Sequence, residues 1–398
     1  MRRFWMTWIG CAAMVGMVCT APALSAEPAQ APAEETPAAA LSLTYTGDLW
    51  SVTSGGTDRD LVYLDDLDLQ LSLDLERLTG WQGAQAFIYG LYTNGNSVSE
   101  RAADFNGISN IETGVEAVRL VEAWIDQSFA EGKGSIRLGL YDVASEFDVG
   151  EVRALFLNSG HGSGSDFSQS GLNGPSMWPV TSLAVRVNYQ FEGDIYLRGT
   201  IADGVPGNPD YPKRTTIDLQ ENDGLLLVAE TGIARDGRLW SFGAWTYTEE
   251  APDLDSSGEH ANYGAYLALE ERLLSSEADD SFNLSGSVRL GVANEDVNPL
   301  STFFSATLVA TGLIPAWPED QIGLGFMLAN GSDKFLSTIG DPEDHEINIE
   351  LTYFTNLTEN ITIQPDIQWV ISPGLDGTVE DVFVFGLRLS VNKGWSLD

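Results

Sequence analysis

From residue 41 to residue 392 the chain is written in alternation, with apolar and polar side chains exchanging places over segments about ten residues long, the period of a strand with one dry face. Leu67, Leu69, Leu71, Leu73 and Leu75 stand against Asp66, Asp68, Gln70, Ser72 and Asp74. Phe383, Phe385, Leu387, Leu389 and Val391 stand against Val384, Gly386, Arg388 and Ser390 in the same way. The pattern predicts sixteen strands, near 41–53, 58–77, 81–93, 117–130, 134–143, 181–191, 194–203, 223–234, 237–249, 259–272, 281–294, 301–313, 320–331, 345–356, 360–372 and 379–392. After the N-terminal segment no apolar run approaches the roughly 18 residues that a helical span needs.

The links between these segments alternate too. Asn94 to Glu116, Ala144 to Val180, Gly204 to Asn222 and Glu250 to Gly258 are long, whereas EGKG (131–134), EGD (192–194), ARDG (234–237) and NLTEN (356–360) are short. Long loops at one end and tight turns at the other describe an up-and-down antiparallel β-barrel in an outer membrane, with long links extracellular and termini periplasmic. The same strand pattern would suit one sheet of a soluble sandwich. The number of strands, the lack of helices to cover them, and aromatics near strand ends (Trp50, Trp81, Trp240, Tyr353, Phe354, Trp369) favour the all-β transmembrane barrel.

The longest link lies between SIRLGLYDV and SLAVRVNYQF and is far longer than a hairpin requires. Within it, Asp148, Glu151 and a following apolar run predict a short capped helix ending near Asn158. Folded inward, Ala144 to Pro179 would narrow a pore. The words GLYDVASEFD (139–148), LFLNSGHGSGSDFSQSGLNGPSMWPVTSLAVRV (155–187), DGVPGNP (203–209) and GLRLSV (386–391) closely resemble the carbohydrate-selective porin (OprB) family of bacterial outer membranes. The resemblance extends from about Leu41 to Val391. It implies a sixteen-stranded barrel that passes sugars by diffusion.

Composition narrows the class further. Arg2 and Arg3 precede an apolar stretch, and small residues surround Ala23, Ser25 and Ala26, the layout of a signal peptide over 1–26. Its removal takes two arginines and no acid from a formal net charge of −38, leaving −40. Such a charge repels nucleic-acid backbones and disfavours a simple anion channel. Both cysteines, Cys11 and Cys19, are lost with the signal. A Pro/Ala/Glu-rich leader (27–40), the barrel (41–392) and a tail (393–398) complete the domain plan. The tail departs from the terminal aromatic that closes many such barrels.

By parity Arg137, Arg186, Arg198, Arg289 and Arg388 face the lumen, with Asp66, Asp68, Asp74, Glu122 and Asp126 on other strands. Opposed guanidiniums and carboxylates in a narrow waist offer vicinal sugar hydroxyls paired donors and acceptors. In VRLVEAWIDQSF, Glu122, Trp124 and Asp126 share the face opposite Val121, Ala123 and Ile125, so Trp124 is a candidate sugar platform, or else packs against the loop. Glu146, Asp148, Asp166, Asn173 and Trp178 are loop candidates, with Asp148 read first as the helix cap.

Enzymatic readings find little footing. His161, His260 and His345 are isolated in predicted loops, which argues against a zinc cluster or a Ser-His-Asp arrangement. DLDSSG (253–258) begins like a calcium loop but has Gly264 at its twelfth position. The expected protein is a non-enzymatic, cofactor-free porin of the bacterial outer membrane, a monomer or homotrimer, with small sugars as cargo. Lipid and lipopolysaccharide would surround it, the latter bridged by divalent cations at the acidic outer loops. The rivals are a general porin without a sugar site, a secreted glycan-binding β-protein and an outer-membrane hydrolase.

Overall fold

The computed structural model describes residues 37–397, except 221 and 277–281. The expected signal peptide and most of the expected leader lie outside the described residues. Sixteen strands follow in chain order: β1 (Ala39–Ser54), β2 (Leu61–Asp74), β3 (Ala84–Thr93), β4 (Ala117–Phe129), β5 (Gly134–Tyr141), β6 (Ser182–Gln190), β7 (Ile195–Asp203), β8 (Leu225–Arg235), β9 (Arg238–Pro252), β10 (Glu259–Ser275), β11 (Asn283–Ala293), β12 (Leu300–Thr311), β13 (Gln321–Gly331), β14 (His345–Thr358), β15 (Ile361–Ile371) and β16 (Val382–Leu397). Each pairs antiparallel with its sequence neighbours, and β1 closes on β16. All sixteen predicted segments are found, with ends displaced by a few residues.

The two terminal strands run further than alternation suggested. β1 begins within the expected leader and β16 continues through the expected tail to Leu397, because the two pair with each other down to Leu41–Trp395 and Ala39–Leu397. In a bilayer, backbone groups have no water to fall back on, so closure of the ring is what satisfies them.

Alternation sorts the faces as predicted. On β5, Ile136 and Leu138 are 46% and 61% exposed on the outside, whereas Arg137 between them is 5% exposed on the inside. Trp81, Trp240 and Trp369 are exposed, but Trp50 and Phe354, expected among the outer aromatics, are buried inside the barrel. Trp50 donates its indole N–H to Asp48 there at 3.1 Å. Asp74 caps the short helix Leu75–Thr79 in the β2–β3 turn, accepting from the Arg77 backbone N–H at 3.0 Å.

One parity expectation fails at a bulge. Leu120 pairs with Gly90 and Glu122 with Tyr89, so Val121 has no opposite number and β4 changes face there. Val121 and Glu122 are therefore both buried inside, rather than on opposite sides of the wall.

The wall is low where it matters for the site. β5, β6 and β7 have eight, nine and nine residues, against fifteen to seventeen in β9, β10 and β16. The chain leaves β5 at this low edge, turns into the lumen and returns at β6. The β7–β8 link covers the notch from above, where the Thr215 hydroxyl accepts from the Leu120 N–H and donates to its carbonyl, both at 2.7 Å. The predicted helix after Asp148 is absent. That residue takes a left-handed φ of 56°, and between it and Asn158 only a single 3₁₀ turn, Arg153–Leu155, forms, with two one-turn helices, Ser159–Gly162 and Ser165–Ser168, beyond.

Candidate functional site

Three inward arginines stand on three successive strands, and two of them, Arg137 on β5 and Arg186 on β6, are directly opposite each other in the ladder. Like charges in that position repel. Two carboxylates answer them, Asp126 from β4 and Glu146 from the inward loop. Asp126 accepts from the Arg137 Nε at 3.1 Å and the Arg186 Nη2 at 2.8 Å. Glu146 takes a two-pronged contact from Arg186, Nε at 2.6 Å and Nη2 at 2.9 Å, and lies 3.7 Å from Arg137. The third arginine, Arg198 on β7, donates to the Glu146 carbonyl and lies 3.6 Å from Glu230. Burial would raise the Glu146 carboxyl, but Arg137, Arg186 and Arg198 outweigh it and bring it down to about 2. Both carboxylates keep some contact with the lumen, at 11% and 17% side-chain exposure.

A second cluster, wholly buried, holds the middle of the loop. Arg289 on β11 grips Asp148, with its Nε 2.9 Å from each carboxylate oxygen, and Asp166 through Nη1 at 2.5 Å. Arg153 reaches Asp148 at 3.4 Å. Asp148 also accepts from the Gly164 N–H at 3.0 Å and the Ser163 hydroxyl at 3.2 Å, so it is the hub of the loop rather than a helix cap. Burial pushes the Asp148 carboxyl up, but Arg289 and Arg153 bring it below the ordinary value; at Asp166 burial prevails and the net shift is upward. The cluster needs close backbone approach. A Cβ at Gly164 would fall on the Arg289 guanidinium and one at Gly291 on the Asp166 carboxylate.

The far side of the loop is fastened differently. Strand glutamates accept backbone N–H groups across the lumen: Glu230 from Asp148 at 2.9 Å, Glu270 from Val152 at 3.0 Å, and Glu350 from Leu157 at 2.6 Å and Asn158 at 3.1 Å. Gln364 and Gln368 on β15 complete the attachment through the Leu155 carbonyl and the Asn158 side chain. Glu346 does the same for the β3–β4 link, accepting from the Phe105 N–H at 2.8 Å. These glutamates were not singled out in the sequence. Their inward parity is visible there, but their backbone partners are not.

A model of the carbohydrate-selective porin, OprB family, matches residues 58–392. The chain belongs to that family. This porin is 23% identical to Porin B of Pseudomonas aeruginosa over 87% of its own length and 86% of the relative's. It is also 23% identical to a putative porin, QuiX, of Acinetobacter baylyi, over 82% of each chain. Among solved structures, the high-pH form of Pseudomonas putida OprB superposes with a TM-score of 0.79 at 21% identity, covering 89% of this porin and 94% of that chain. The DcaP channel of Acinetobacter baumannii superposes at 0.57 with 11% identity, over 92% and 100%. The porin is thus a non-enzymatic, carbohydrate-selective channel of the outer membrane.

Of the residues singled out in the sequence, Trp124, Asp126, Arg137, Glu146 and Arg186 come together at the low wall, with Arg198 beside them. Glu122 lies just above, accepting from the Trp124 indole at 3.3 Å and from the Asp142 N–H at 3.0 Å. The Trp124 ring is not an open platform: the Arg137 guanidinium sits 3.6 Å from its centroid and the Phe87 ring 5.2 Å away. Asp166 and Arg289 belong to the buried hub. Asn173 and Trp178 lie elsewhere, Asn173 donating to the Pro206 carbonyl at 2.6 Å and Trp178 to the Tyr89 hydroxyl at 3.1 Å. His161 is buried in the loop against Phe156, while His260 and His345 start strands rather than lying in loops. Burial and the nearby Arg153 hold the His161 imidazole down to about 3, so it is neutral in the lumen. Asp253 of the calcium-like stretch is engaged by Lys334 and His260, both at 2.6 Å. Among the described residues no group of three or more His, Cys, Asp or Glu is arranged to hold a metal ion.

Proposed function

We propose that this porin passes mono- and small oligosaccharides by passive diffusion into the periplasm, and that sugars are selected at the seam between the loop edge and the β4–β6 wall. The observation that carries this reading is the Arg137–Asp126–Arg186–Glu146 cluster, in which each guanidinium is held by carboxylates while part of those carboxylates still faces the lumen. Held this way, the planar donors lose little freedom when a solute arrives. A sugar exchanges its water hydrogen bonds for ones with the fixed oxygens and N–H groups, and its apolar C–H surface slides past the exposed part of Trp124. A narrow charged waist of this kind favours uncharged, hydroxyl-rich solutes over ions, which would have to shed water against the opposing field.

The decisive measurement is single-channel conductance of the refolded protein in a planar bilayer, titrated with glucose, a disaccharide and a neutral polymer of similar size. Saturable block by a sugar, without block by the polymer, is expected. Conductance with no saturable block would leave a general porin.

A further inference from the structure

The β12–β13 turn, residues 312–320, does not close tightly as most of its neighbours do. It folds against the outer side of the β14 end and leaves a cavity of about 520 Å³. Trp317, Glu319, Asp320, Tyr353, Asn356 and Leu357 are the lining residues that matter. On β14 the inward side chains are Glu346, Asn348, Glu350, Thr352 and Phe354, all buried, so Tyr353, Thr355 and Leu357 point away from the lumen. The cavity therefore belongs to the outer surface of the barrel, at its periplasmic end.

Trp317, 56% exposed, is part of a ring of exposed aromatic side chains near the short turns, with Trp81, Phe129, Phe191, Trp240 and Trp395. Such a ring marks the membrane–water interface, here that of the phospholipid leaflet facing the periplasm. Two acids and no basic residue line the cavity. Asp320 is held in place by the Tyr353 hydroxyl and by the Thr355 hydroxyl at 2.7 Å. Glu319 has no hydrogen-bond or ion-pair partner among the described residues. An exposed indole, a free carboxylate and a fixed one are what a primary ammonium seeks, and an anionic headgroup would be repelled. Leu357 and Leu313, both more than half exposed beside the cavity, supply the apolar surface that an acyl chain would cover.

We propose that this cavity binds the headgroup of an amine-bearing phospholipid, phosphatidylethanolamine, with the ammonium between Trp317, Glu319 and Asp320. The phosphate would then sit near the Asn356 amide, and the acyl chains would run up the wall past Leu357.

Native mass spectrometry of the purified barrel, given equal amounts of phosphatidylethanolamine and phosphatidylglycerol with identical acyl chains, tests this. The expected result is a preference for the amine lipid of ~3-fold or more, the size of one partly desolvated cation–π and ion contact. Trp317→Ala combined with Glu319→Gln should abolish the preference while leaving heat-modifiable migration and sugar block at wild-type values. Equal retention of the two lipids, or a preference that survives the double substitution, overturns the proposal in favour of nonspecific annular lipid. Soluble phosphoethanolamine at the same concentration should fail to displace the lipid, and displacement by it would overturn the lipid as the occupant.

Discussion

The inward loop is fastened at both edges, but with different chemistry. At the low wall of β4–β7 it is held by guanidinium–carboxylate contacts, and at the opposite wall of β14–β15 by glutamate and glutamine side chains that accept or donate to its backbone. The first attachment retains some lumen exposure at Asp126 and Glu146, whereas Glu350 and Gln368 are fully buried. One edge therefore combines anchoring with carboxylates that stay partly exposed, while the other only anchors. On the proposed reading a channel that must be both narrow and permeable gains from this division, because the rigid edge would fix the width and the wet edge would set what is allowed through.

The difference can be attacked from the centre outward. The Arg289 hub supports both edges, so Arg289→Leu, which leaves Asp148 and Asp166 buried without their main partner, should have the largest effect. Breaking a buried pair in this manner costs ~3–5 kcal/mol. The expected outcome is a lower temperature of heat-modified migration and a clear rise in single-channel conductance as the loop loosens. Arg289→Lys should be milder, since it keeps the charge but loses the fork.

On the anchoring edge, Glu350→Leu removes the acceptor of two backbone N–H groups, and each buried donor left without a partner costs ~1–3 kcal/mol. Conductance should increase while the sugar concentration for half-block stays close to wild type. On the wet edge the pattern should reverse. Trp124→Ala should weaken sugar block, by about tenfold for a loss of ~1.4 kcal/mol, with open-channel conductance near wild type; Arg186→Gln should weaken block more strongly and, because it also frees Glu146 of the loop, raise conductance. Unchanged block in both variants would remove the seam as the site of selection.

The smallest effect is that of pH. The Glu146 carboxyl lies at about 2 in the fold against an ordinary 4.5, so its contribution to holding the loop is complete above 4.5 and is lost as pH falls toward 2. The share of conductance and block that Glu146 controls should stay level from neutrality down to about 4.5 and fall away below it, an acid limb that Glu146→Gln should remove.

Most of the barrel was legible in the chain because a strand facing lipid must alternate, and because long and short links declare which end is which. Legibility ended where a residue's role depends on a distant partner. Asp148 and Glu151 have the spacing of a helix start, yet Arg289, far along the chain, takes the Asp148 carboxylate and the helix does not form. The bulge at Val121 follows from pairing with β3, which no local pattern in β4 displays. Trp124 is correctly inward, but its stacking on Arg137 depends on how β4 and β5 are aligned. Glu230, Glu270 and Glu350 read as ordinary lumen acids, since the groups they hold are main-chain N–H groups of the loop, which carry no letter of their own.

The seam between β1 and β16 has a consequence for assembly. Its pairs run from Ala39–Leu397 to Ser54–Phe383, joining the two extremes of the described chain, so they have the largest sequence separations of any strand pairing among the described residues. Ordering everything between must come before or along with these contacts, and contacts of long separation are the slow ones to form. Until they form, β1 and β16 are each a bare edge that can pair with other chains. The seam is therefore both the final latch of insertion and the point at which an unfinished barrel is most open to misassembly with its neighbours.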